Sequence, residues 1–266
     1  MTDSISIRSH ADRGDNARAR ILDAATREFS ANGLAGARTE RIAEAAGVNK
    51  ALLYYYFRSK EALYAAALEA VFERVRVASV AVLEAEVSVG ERFLQLVLSN
   101  FDRSYSHPEL QTLMQQEMVR LHRGEETQIG QMAEKFFRPL WVKMEEVLDE
   151  GIASGELIRV DPSQMRYAAL GANVFYFLSA PLTRLAFGTD PLERGELEHR
   201  RRVAIEYLGQ TIFVDREHGA SVAARVLADA PMPQYIDPPA DQFRKVKFKS
   251  SNIEAARTSA IEVRNK

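Results

Sequence analysis

The chain contains no cysteine. That absence excludes disulfides, zinc–thiolate sites, iron–sulfur clusters and thiol catalysis together, and it fits a reducing compartment. Long apolar runs are also missing. A bilayer span needs roughly 20 largely unbroken apolar residues, and the nearest approach, residues 167–187, is interrupted by Asn173, Pro181 and Arg184. The first sixteen residues are polar and charged, unlike a secretory leader. A cytoplasmic protein that does not enter the membrane is therefore expected. Charge of one sign is scarce as well. The net charge is −2, so any affinity for a polyanion must come from a local basic patch.

Catalytic and metal-binding patterns are wanting too. The five histidines, His10, His107, His122, His199 and His218, include no pair four residues apart. No His-Glu-x-x-His, Gly-x-Ser-x-Gly or phosphate-loop pattern occurs. His107, Glu109, Glu117 and His122 could be drawn together as a metal site, but His122 lies five residues from Glu117, off the same helical face. No catalytic residue, metal or cofactor is expected, and the chain does not read as an enzyme.

What is present is helical periodicity. Apolar residues make up 46% of the 266 residues, enough for one large domain or two modest ones. They recur at helical spacing nearly everywhere, with no alternating β-branched runs. The pattern predicts helices near 16–31, 39–46, 50–56, 60–86, 90–106, 108–122, 125–153, 162–187 and 195–215. Asn32-Gly33 marks a C-terminus. Pro108 and Pro162 suit first helical turns, with Asp161 as an N-cap before the latter. Pro181 removes a donor inside the predicted 162–187 helix and should kink it. Residues 1–15 read as a flexible arm. From Glu217 the character changes: Pro231, Pro233, Pro238 and Pro239 are four of nine prolines, and Phe243–Lys266 carries seven basic and two acidic residues. Residues 217–266 are expected to be a proline-rich, then basic, flexible extension. Its run Arg244-Lys245-Val246-Lys247-Phe248-Lys249 suits either phosphates or solvent.

The segment from Arg20 to Tyr64 carries the chemistry. Ile21, Leu22, Ala25 and Phe29 form one face of a first helix. The hydroxyl of Thr39 can cap a second helix containing Ile42, Ala43, Ala45 and Ala46. Gly47 then supplies the positive φ that a tight inter-helix turn requires. A third helix follows, anchored inward by Leu53 and Phe57. Its outer faces carry Lys50, Ala51, Leu52, Tyr54, Tyr55 and Tyr56. Phenol hydroxyls and an ammonium bond phosphates and base edges, rings pack on sugars and thymine methyls, and a small alanine permits close approach. Arg38, Arg58 and Lys60 add positive charge. From Arg8 to Tyr64 there are ten basic and seven acidic residues, so the reading rests on placement more than on total charge. A small helical bundle with an aromatic surface is the plain structural alternative.

These residues, Thr39, Ile42-Ala43, Ala46-Gly47-Val48, Leu53-Tyr54, Tyr56-Phe57, Lys60 and Leu63 at their spacings, resemble the DNA-binding signature of the TetR/AcrR family of bacterial regulators. The resemblance implies an all-α protein: a three-helix helix-turn-helix domain over 16–64, then a larger helical ligand-binding and dimerisation domain over 65–216. It implies a homodimer on a near-palindromic operator, usually a repressor, and a small-molecule effector that changes the spacing of the reading heads. By position it suggests phosphate contacts at Thr39 and Lys60 and places Lys50, Ala51, Leu52, Tyr54, Tyr55 and Tyr56 in the recognition segment. Leu52 departs from the polar residues frequent there. Arg38 completes the expected DNA-binding set.

The remainder offers aromatic and sulfur-bearing faces. Phe101, Tyr105, Met114, Met118, Phe137, Trp141, Tyr167, Asn173 and Phe177 are candidate pocket residues for an apolar or amphipathic ligand, with ordinary core packing as the alternative. Asn173 is singled out because a buried amide must find a partner, either a neighbour or a ligand. The last two predicted helices are the candidate dimer surface, through Ala169, Ala172, Leu208, Ile212 and Phe213. A different function class stays open at this point: a helical interaction protein whose body binds a protein partner, with DNA binding accessory.

Overall fold

The computed structural model describes residues 3–233, with side chains from Asn16 onward. Among the described residues every regular element is helical, and one isolated antiparallel bridge joins Leu157 to Phe213. In order the helices are α1 (Asp3–Gly36), α2 (Thr39–Ala45), α3 (Lys50–Phe57), α4 (Lys60–Leu83), α5 (Val89–Ser106) and α6 (Pro108–His122). Next come α7 (Ile129–Met132), a π-helical turn (Ala133–Phe137) and α8 (Arg138–Ala153). Then follow α9 (Pro162–Arg166), a second π-helical turn (Tyr167–Gly171), α10 (Ala172–Leu178), α11 (Ala180–Phe187), α12 (Arg194–Ile212) and α13 (Arg216–Asp229).

The expected elements stand, with local differences that have physical causes. The arm expected over residues 1–15 is helical from Asp3. No proline occurs before Pro108, so nothing in that stretch removes an amide donor. The helix expected from 125 begins instead at Ile129, because Gly124 has φ 71° and the Arg120 side chain gathers Glu125 and the carbonyl of Glu126 into a loop. The helix expected over 162–187 is interrupted at Ser179, and Pro181 lies in the first turn of α11, where its missing N–H costs least.

Packing divides the chain into two compact units. The first holds residues up to Val77 and Glu109–Phe137; the second holds Ala78–Pro108 and the described residues from Arg138 on. The stretch 65–216, expected as one regulatory domain, is therefore shared between them. In the first unit, Ile21, Ala25 and Phe29 of α1 pack with Ile42 of α2, Leu53 and Phe57 of α3 and Leu63, Tyr64 and Leu68 of α4. Leu113, Met132 and Phe136 complete this core.

In the second unit, Phe93, Leu94 and Val97 of α5 pack with Met144, Val147 and Leu148 of α8 and with Ile205 and Ile212 of α12. Val222, Ala223 and Val226 of α13 belong to the same core. This corrects the flexible extension expected from Glu217: residues 216–229 are a packed helix. Asp215 caps it, accepting from the amides of Glu217 (2.9 Å) and His218 (3.1 Å). Two glycines let it close on α12, since a Cβ added at Gly219 would lie 2.0 Å from the Gly209 carbonyl oxygen. Residues 234–266, with Pro238, Pro239 and the basic run, lie outside the described residues.

Candidate nucleic-acid interface

The expected turn between α2 and α3 is built on a left-handed glycine. Gly47 has φ 63°, its amide donates to Glu44 O (3.0 Å) and the Val48 amide to Ala43 O (3.0 Å). This paired pattern is the Schellman motif, which satisfies carbonyls that a helix end would otherwise leave open. Arg20 Nε of α1 donates to Ala46 O at 3.0 Å, fastening the turn from behind. Asn49 caps α3, its Oδ1 accepting from the Leu52 amide at 2.8 Å. Leu53 and Phe57 point inward as expected, at 0% and 5% exposure. Four residues of spacing puts both on one face, so burying them fixes which residues turn outward.

That outward face carries Lys50, Ala51 and Tyr55, all exposed; Tyr55 is 79% exposed. Leu52, Tyr54 and Tyr56 are half-buried along its edges. The Tyr55 ring meets that of Tyr56 edge to face at 5.4 Å. Thr39 does not cap α2 as its position suggested: Arg38 is the N-cap residue and gives no side-chain cap. The Thr39 hydroxyl is buried and shares a hydrogen bond with the Tyr54 hydroxyl at 3.2 Å, joining α2 to α3. The Arg38 amide donates to Glu28 Oε1 at 3.0 Å, while its side chain is exposed. Lys60, at the start of α4, donates its ammonium to Ala35 O at 3.0 Å, and Ser59 Oγ caps that helix through the Ala62 amide. Sequence reasoning missed Glu40, whose carboxylate accepts from the Lys50 ammonium. Ten residues separate the two, so no helical spacing rule flags them. The pair holds the Glu40 carboxyl below its ordinary range, chiefly through that hydrogen bond, and raises Lys50 for the same reason.

Elsewhere in the first unit lies a buried polar cluster. Glu117 of α6 is 0% exposed and accepts from the Tyr64 hydroxyl (3.0 Å), Arg120 Nη1 (2.5 Å) and the Gln128 amide (2.6 Å). Burial, then the neighbouring Glu117 charge, pushes the Tyr64 hydroxyl well above its ordinary range. Beside it, the C-terminal end of α1, the start of α4 and α6 line an open concavity of about 650 Å³ that includes Lys60, Gln116 and Arg120. None of the nine candidate pocket residues lines it.

Those nine fall in both units. Met114, Met118 and Phe137 belong to the first; Phe101, Tyr105, Trp141, Tyr167, Asn173 and Phe177 belong to the second. Within the second unit two groups form. Phe101 packs against Phe177 with centroids 5.1 Å apart, next to Asn173. Asn173 is buried and donates Nδ2 to Val97 O (3.0 Å) and Asn100 Oδ1 (3.2 Å), so both amide hydrogens bond neighbours. Separately, Trp141 and Tyr167 flank the Arg166 guanidinium at 4.2 and 4.4 Å.

The dimer candidates need correction. Ala169, Ile212 and Phe213 are buried in the chain's own core, at 4%, 4% and 2% exposure, so they cannot offer a free face. The packed α13 is the reason for Phe213, which sits against Gly219 and Gly90. Leu208 is half-buried and Ala172 exposed. On α10, α11 and α12 the large apolar side chains left in solvent are others: Val174, Phe175, Leu178, Leu182, Leu185, Phe187, Val203 and Tyr207.

A short helix presented by a Schellman turn, with Lys50 and Tyr55 outward, has the geometry of a helix-turn-helix reading head. Comparison with known proteins agrees. Residues 21–67 match the model of bacterial regulatory proteins of the tetR family, and residues 91–208 match the tetracyclin repressor-like C-terminal domain. The chain belongs to the TetR family of transcriptional regulators. It is similar to the HTH-type transcriptional repressor NicS of Pseudomonas putida, 36% identical over 115 residues that span 43% of this chain and 53% of that protein. The HTH-type transcriptional regulator RutR of Escherichia coli is 55% identical over 53 residues, 20% of this chain and 25% of that protein. The chain thus spans about half the length of one curated relative and a quarter of the other. In fold it resembles the regulator FadR from Bacillus subtilis, solved with stearoyl-CoA, at TM-score 0.54 and 21% identity, covering 71% of this chain and 96% of that one.

Proposed function

We propose that the chain is a sequence-specific DNA-binding repressor that acts in the cytoplasm as a homodimer on a near-palindromic operator. The observation that carries this is the outward face of α3. Ala51 and Tyr55 face solvent and Lys50, paired with Glu40, lies on the same exposed face toward a major groove, while Leu53, Phe57, the Asn49 cap and the Gly47 turn hold the backbone still. Tyr54 and Tyr56 flank the entry, Leu52 reads a thymine methyl or nothing, Arg38 and Lys60 set the orientation on phosphates, and the buried Thr39, expected as a phosphate contact, instead positions Tyr54. A small apolar or amphipathic effector, taken up by the helical body, favours a dimer that no longer spans two half-sites. Phe101 and Phe177, with Tyr105 one turn along α5, are the side chains that suit such a ligand.

The exposed large apolar side chains of α10, α11 and α12 support dimerisation, since burying them against a second copy would remove them from water. Selecting tight-binding duplexes from a random library tests the reading. The wild type should enrich an inverted repeat, and Lys50→Ala or Tyr55→Ala should each weaken binding to it by about 1–3 kcal/mol. If neither change weakens binding, α3 is not the reading element.

A further inference from the structure

We infer that Glu40 sets the sequence discrimination of the reading head by holding Lys50 away from DNA that lacks a proper acceptor. The inference rests on the DNA-binding reading above. A lysine at the first position of a groove-entering helix is a mobile point charge that any phosphate attracts, which adds affinity without selectivity. Here that ammonium is not free. It donates to the Glu40 carboxylate across the α2–α3 turn and lies 5.8 Å from the centroid of the Tyr54 ring.

The pair does no evident work for the fold. Both side chains are more than half exposed or close to it, at 50% for Lys50 and 63% for Glu40, and such pairs add little stability. The geometry it spans is already fixed by the Gly47 turn, the Arg20–Ala46 bond, the Thr39–Tyr54 bond and buried Leu53. What the pair does control is the charge of the reading face. Arg38, Arg41 and Arg58 are exposed around it, opposed by Glu44 and Glu61, and Lys60 is drawn to Ala35 O. Neutralising Lys50 leaves the head with weak general attraction to phosphate. A base edge with acceptors placed along α3, such as guanine O6 and N7, can take the ammonium from Glu40; a phosphate at variable distance competes less well.

The test uses the full chain, a duplex selected from a random library by the wild type, and a scrambled duplex of the same composition. Binding is followed by fluorescence anisotropy over a range of salt. Glu40→Gln should bind the scrambled duplex about three- to tenfold more tightly, with a log–log salt slope steeper by about one per head. Its gain on the selected duplex should be smaller, so the ratio between the two narrows. In a Lys50→Gln background the same Glu40→Gln change should alter scrambled-duplex affinity by less than about twofold, because Glu40 then has no ammonium to hold. The inference is overturned if Glu40→Gln matches the wild type on scrambled DNA, or if its gain is equal in both backgrounds. Should the wild type select no sequence at all, the proposed function fails, yet the scrambled-duplex comparison still decides the role of Glu40.

Discussion

Glu117 shows what a single residue can demand of its surroundings. A carboxylate with no exposure is stable only when its lone pairs are taken, and three donors take them: Tyr64, Arg120 and the Gln128 amide. Arg120 in turn holds Glu125 and the Glu126 carbonyl, so one side chain closes the 123–128 loop onto α6 while Tyr64 ties in α4. Removing the acid would leave a guanidinium and two further donors facing an empty site. Glu117→Ala should therefore cost about 3–5 kcal/mol of unfolding free energy, whereas Tyr64→Phe, which removes one hydrogen bond, should cost about 1 kcal/mol. Urea denaturation of the two variants checks the ordering, and equal losses would mean the cluster is merely tolerated. Little of this was visible in the sequence. Glu117 entered it only as an unlikely metal ligand, because a buried acid and a surface acid look alike until the tertiary partners 53 and 11 residues away are known.

At the level of elements, legibility followed locality. The helix-turn-helix was readable because its determinants are neighbours in sequence: a positive-φ glycine, and Leu53 with Phe57 four apart. The Thr39 hydroxyl was misplaced because its partner, Tyr54, is fifteen residues off. The packed α13 was missed for a related reason. Its apolar face is short, Val222, Ala223 and Val226 with half-buried Leu227, and it closes on α12 through a glycine contact that no local pattern announces. Once α13 is placed, Ile212 and Phe213 become core, and the candidate dimer face moves to α10, α11 and the outer side of α12. The Gly209–Gly219 crossing is open to a direct check. A methyl at Gly219 would lie 2.0 Å from a backbone oxygen and 2.7 Å from the Phe213 ring, so the helices must separate. Gly219→Ala should lower stability by about 1–3 kcal/mol by overpacking, despite alanine's better helix propensity. Thermal melts by circular dichroism would show it, and an unchanged or raised midpoint would place α13 elsewhere.

At the scale of the whole molecule, weak individual heads and a dimer belong together. The net charge of −2 gives no general pull toward DNA, and the Glu40–Lys50 pair lowers the local pull further. In the proposed dimer, useful affinity would come from two heads bound at once, where the second contact is effectively intramolecular. The dimer is also where an effector can act, because a ligand shifts a two-state balance only by the difference in its affinity for the two states; about 5.5 kcal/mol carries it from 1:99 to 99:1. On the proposed dimer, both consequences would run through the exposed side chains Phe175, Leu178, Leu182, Leu185 and Tyr207. Changing Phe175 and Leu182 together to Arg places two like charges on each protomer's side of a self-complementary contact, which doubles the repulsion. Since these side chains are 63% and 64% exposed in the single chain, the substitution should leave the melting midpoint of each protomer's fold intact while sedimentation shows a monomer. Operator affinity should fall by about two orders of magnitude or more, the avidity a second linked site supplies, and affinity for scrambled DNA far less. A double variant that stays dimeric would put the self-association surface on another face of the helical body.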